Sequence, residues 1–160
     1  MYDLRLDRKL TQALFSRWDK ETKDWVVNAI ASLVLVDQVV EKHEMVALQE
    51  AIELLDSRNE IENLMNMIRQ KKMFEIGNLK TSIEQAGEIY FYLASIACID
   101  GKMKKIEVDL LKELGKKLNL PGDFQKAVLK WSVDQMNHNQ RWSQEQSLLN
   151  QKREGVLQAL

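Results

Sequence analysis

The chain has 160 residues, with 24 acidic side chains against 23 basic ones and a formal net charge of −1. That balance argues against broad electrostatic attraction to nucleic acid or anionic lipid. The single cysteine, Cys98, excludes an intramolecular disulfide and a thiolate metal cluster and fits a reducing cytosol, and no run approaches the ~18 apolar residues that a membrane span needs. A chain of this size can bury roughly 70% of its unfolded surface in one core, so one domain over residues 1–160 is expected. The opening residues interleave charge with apolar side chains, unlike a signal peptide, and a soluble cytoplasmic protein is expected.

One proline and six glycines leave room for long helices, and the β-branched residues recur at helical spacing, not in alternation. A first helix over residues 4–18 places Leu6, Leu10, Leu14 and Trp18 on one stripe. A second, over 22–36, is apolar on most sides and is expected at the centre. A third begins at His43 or Glu44 and carries Met45, Leu48, Ile52 and Leu55 along one face. Ser57 and Glu60 have the spacing of a capping box and open a fourth helix bearing Ile61, Leu64, Met65 and Ile68. Residues 69–78 read as a linker.

Ser82 and Gln85 repeat the capping pattern for a fifth helix that reaches Ile99 and carries Ile89, Tyr90, Phe91, Leu93, Ile96 and Ala97. Gly87 inside it costs about 1 kcal/mol relative to alanine, which predicts close approach of a neighbouring helix. A sixth helix over 105–118 stops at Leu120-Pro121-Gly122-Asp123. Two further helices are expected, over 124–136 and 143–160. Trp142, Leu149, Val156 and Leu160 form a stripe expected to close over the bundle, because an exposed stripe of that size invites aggregation.

The segment from Leu93 to Glu107 recurs in weaker form from Ile30 to Glu44. Asp37 corresponds to Asp100 and Glu44 to Glu107, at the same separation. In each copy an apolar helical stretch ends at an aspartate, bends, and resumes at a glutamate. The expected fold is all-α, a compact bundle of about seven to eight helices built from two duplicated helical hairpins, over residues 22–70 and 80–136. At Asp100-Gly101 the glycine accepts a positive φ and the aspartate can bond amides further on. Met103 then reads as an apolar plug and Glu107 as a first-turn acid complementing the helix dipole. The first copy has Gln38 where the glycine would stand.

The run from Ala94 through Ile99 into Asp100-Gly101-Lys102-Met103, followed by Glu107, Leu110, Leu111, Leu114, Leu118 and Leu120, resembles the TerB family of tellurite-resistance proteins and domains attached to J-domain co-chaperones. The resemblance covers residues 22–136 and departs from the family's pattern at Gln38 and Lys104. It implies a helical bundle with an internal duplication, acting as a non-enzymatic protein-interaction module in a bacterial stress-response complex that other proteins hold at a membrane. It also leaves room for a homo-oligomer.

The alternative function is metal-ion binding through Asp37, Glu44, Asp100 and Glu107. The stretch from Asp100 to Glu107 matches the second half of a calcium loop, but the earlier ligand positions fall on Ile96 and Cys98, which offer no hard oxygen. At most a weak divalent cation site follows, with helix capping as the competing reading, and no cofactor is expected. His43 and His138 belong to no Glu-x-x-His or zinc-protease pattern, Cys98 reads as a buried small hydrophobe, and Met65, Met67 and Met73 as core filling. No catalytic residue is proposed. Charge is segregated, with acids dominating 37–62 and lysines 102–117, which suggests partner-binding patches at Glu41, Glu50 and Glu53 on one side and Lys102, Lys104 and Lys105 on the other.

Overall fold

The computed structural model describes residues 16–36, 42–53, 55, 57–70, 75–98 and 103–160, with the backbone alone at 42–44 and 46. Among the described residues there are six helices and no strand. The first predicted helix, its end at Trp18 apart, lies outside them.

Helix α1, Lys20–Leu35, opens where the Asp19 carboxylate accepts the Thr22 amide at 2.8 Å. That bond satisfies one of the orphan donors of the first turn and holds the Asp19 carboxyl below its ordinary value. The apolar residues of α1 leave almost no polar face, and it is buried from Trp25 to Leu35 apart from the half-buried Asn28. Helix α2, Lys42–Ile52, packs against it and contributes Ala47, Leu48 and Ala51 to the core. Met45, expected on the inward face of α2, lies at its margin, 37% exposed.

Helix α3, Arg58–Arg69, starts as the Ser57–Glu60 spacing predicts, with the Ser57 hydroxyl accepting the Glu60 amide at 3.3 Å. The Glu60 carboxylate, however, reaches Nζ of Lys20 at 3.1 Å and leaves its second oxygen buried without a hydrogen bond. This pair ties α3 to the start of α1. Of the four apolar residues expected to make α3 a core helix, only Leu64 is buried, and Ile61, Met65 and Ile68 are half-buried. The helix therefore lies at the edge of the bundle.

Residues 75–80 follow without regular secondary structure, secured at two points. The Trp25 indole donates to the Gly77 carbonyl at 2.8 Å, and the Leu79 amide donates to the Lys117 carbonyl at 3.0 Å. Helix α4, Ile83–Cys98, begins with the Ser82 hydroxyl accepting the Gln85 amide at 3.2 Å and is buried on most sides, as α1 is. It packs against α1 and α2 and against the two helices that follow. Gly87 has the role its cost implies: a Cβ there would lie 3.2 Å from Cζ of Phe124.

Helix α5, Lys105–Lys117, ends in a Schellman motif. Asn119 takes the left-handed conformation at φ 56°, its amide donates to the Lys116 carbonyl, and the Leu120 amide donates to the Gly115 carbonyl, both at 3.0 Å. Helix α6, Gly122–Gln158, is a single rod of 37 residues, about 55 Å long. The two separate helices expected over 124–136 and 143–160 are therefore one. The polar run Asn137-His138-Asn139-Gln140-Arg141 contains no glycine or proline to end a helix, and Gln135 donates to Asn139 one turn on at 3.3 Å. Within the bundle α6 buries Gln125, Val128, Ser132 and Asn139 along one stripe, while Phe124 and Trp131 pack edge-on against Phe91 with ring centroids 5.9 and 5.3 Å apart.

The expected closure of the C-terminal stripe does not occur. The helix runs unbroken to Gln158, and Leu148, Leu149, Val156 and Leu157 are 59%, 56%, 72% and 52% exposed. No helix among the described residues is long and apolar enough to cross a membrane.

Candidate functional site

The proposed metal ligands cannot be placed as a set. Asp37 and Asp100 lie outside the described residues, as do Glu41, Lys102 and the side chain of Glu44. Glu107 stands in the first turn of α5, where the sequence puts it, and is only 5% exposed. Met103 is half-buried against the core. Among the described residues no three His, Cys, Asp or Glu side chains gather into a metal-holding cluster.

Buried polar chemistry within α4 is local. Cys98 is fully buried and its thiol donates to the Ser95 carbonyl at 3.5 Å. The Tyr90 hydroxyl is buried without a hydrogen-bond partner, and desolvation pushes its pKa up to about 12. Tyr92 is shifted upward too, first by burial and then by the negative charge of Glu50.

The two charged patches fare differently. On the acidic side Glu53 is exposed, whereas Glu50 is half-buried with its charge felt at Tyr92. Glu60 is bound to Lys20, and Glu62 lies 3.7 Å from Arg58 one turn away on α3. Of these acids Glu60 is held in a partly buried pair, while Glu53 and Glu62 stay at the surface.

The basic side is a surface. Lys104, Lys105, Lys112 and Lys116 are exposed and Lys117 half-exposed along α5, facing two exposed acids, Asp109 and Glu113, because Glu107 has been buried. Lys112, Lys116 and Lys117 also rim an open groove of about 510 Å³, completed by Asn78, Asp109 and Glu113. The Leu79–Lys117 backbone bond holds the 75–80 segment, Asn78 included, beside the end of α5. Comparison with family models, with curated proteins and with solved structures finds no match.

Sequence reasoning placed Lys112, Lys116 and Lys117 in one basic stretch with Lys104 and Lys105 but missed the groove and Asn78 beside them. Their lysine content was visible; their meeting with Asn78 depends on a bond spanning the two segments. The surface can accept carboxylates or other anionic groups at several points, with Asp109 and Glu113 restricting where they sit.

Proposed function

We propose that this chain is a non-enzymatic protein-interaction module that docks an acidic segment of a partner along the basic face of α5. The observation that carries this reading is the set of lysines Lys105, Lys112, Lys116 and Lys117 on one helix with Lys104 at its N-cap, three of its members rimming a groove. Among the described acids expected to form the opposite patch, Glu50 and Glu60 are half-buried and Glu60 is paired with Lys20, while Glu53 and Glu62 are exposed. Electrostatic faces of this kind set partner choice and association rate. The resemblance of residues 22–136 to the TerB family supports placing the module in a bacterial, cytoplasmic stress-response complex of the tellurite-resistance kind. In that reading α1–α2 and α4–α5 are the duplicated hairpins.

Reversing Lys104 and Lys105 to glutamate, together with Lys112 and Lys116, is expected to abolish capture of the partner from a bacterial extract while far-UV circular dichroism stays unchanged. Wild-type capture should weaken steeply with added salt. Undiminished capture by the reversed protein would refute docking through α5.

A further inference from the structure

We infer that the part of α6 beyond Trp142 is a self-association arm that pairs antiparallel with the same arm of a second copy, centred on Leu149. Phe124 and Trp131, seven residues apart, pack on Phe91 of α4. Further along the same rod Trp142, Leu149 and Val156 recur at the same spacing, and from residue 147 onward every residue is exposed. A packing face of the bundle thus continues past the half-buried Trp142 as an exposed apolar stripe at Leu149 and Val156, of heptad spacing.

The sequence around Leu149 identifies what covers it. Seven residues to either side stand apolar side chains, Trp142 and Val156, and four residues to either side stand opposite charges, Glu145 and Arg153. A two-fold contact needs a self-complementary patch, in which each residue meets its counterpart twice. Antiparallel pairing about Leu149 sets each Trp142 level with Val156 of the second copy and each Glu145 level with its Arg153. Parallel pairing would instead set Glu145 beside Glu145, and Lys152 and Arg153 beside their own copies, which like-charge repulsion disfavours. The antiparallel arrangement also separates the two Trp142 positions by about 21 Å, so the bundles stand at opposite ends of the seam without colliding. This contact is independent of the basic face of α5.

Sedimentation equilibrium on the full chain tests the arm. A monomer–dimer equilibrium is expected. Leu149→Glu should convert it to monomer with the thermal unfolding of the bundle unchanged. Arg153→Glu alone should weaken the dimer about tenfold, and Glu145→Arg with Arg153→Glu should restore it, because the swap re-forms both cross-pairs. A chain that stays monomeric at millimolar concentration, a dimer that survives Leu149→Glu, or a double swap that fails to restore association would each overturn the proposal.

Discussion

Shortening Ile30 to alanine is expected to cost about 3 kcal/mol of folding stability, and Leu93→Ala about as much. Both side chains are 0% exposed, one on α1 and the other on α4, two helices that pack against each other. The two positions also correspond in the repeated segments, since Ile30 opens the first copy and Leu93 the second. Removing three methyl or methylene groups from such a site loses their transfer energy and leaves a cavity that close-packed neighbours cannot fill. Urea denaturation measures the effect as a fall in the midpoint at unchanged slope. Leu148→Ala on the exposed end of α6 supplies the contrast, with a change within about 0.5 kcal/mol for the monomer. A loss below about 1 kcal/mol for both core variants would mean that α1 and α4 are not the centre of the fold.

Replacing Gly115 with alanine is the second large effect, a destabilisation of about 1–3 kcal/mol at a helical position where alanine would ordinarily gain about 1 kcal/mol. A Cβ at Gly115 would sit 2.5 Å from the Gln125 side-chain amide. That amide is buried, and its Nε2 donates to the Leu120 carbonyl at 3.0 Å, holding the turn between α5 and α6. Gln125 can avoid the new methyl only by rotating away and leaving the Leu120 carbonyl without its donor. Gln125→Ala alone should cost about 1–2 kcal/mol for the same orphaned carbonyl. The double variant should be less destabilised than the two losses added together, because the clash disappears with the longer side chain. Simple additivity would show that the two positions do not meet.

The parts of this structure legible in the sequence are those decided by neighbours along the chain. Ser57 and Ser82 bind the amides three residues on, so the starts of α3 and α4 needed no tertiary information. Gly87 in an otherwise favourable helix announced a close neighbour, and Phe124 is that neighbour. The apolar surround of α1 announced a central helix. What escaped depended on contacts across the fold or on weak local signals. The run from Asn137 to Arg141 is polar enough to resemble a loop, yet with no residue to break it the helix continues and carries the C-terminal stripe away from the bundle. Helix α3 is strongly two-sided, but only Leu64 finds full burial there. Among the candidate site residues, Lys104 and Lys105 could be named from charge alone, whereas the half-burial of Glu50 near Tyr92 and the bond from Glu60 to Lys20 are set by tertiary packing. The acidic corners of the repeats remain a sequence expectation, because Asp37 and Asp100 fall outside the described residues.

The division of α6 into a half that completes the bundle and a half that leaves it underlies both the fold and the arm, and truncation tests it most directly. A chain ending after Trp142 should unfold in a single cooperative transition, with a midpoint within a few degrees of the monomeric Leu149→Glu protein. Loss of that transition, or a compact state that binds hydrophobic dye and lacks fixed tertiary packing, would contradict the division and place residues 143–160 in the core.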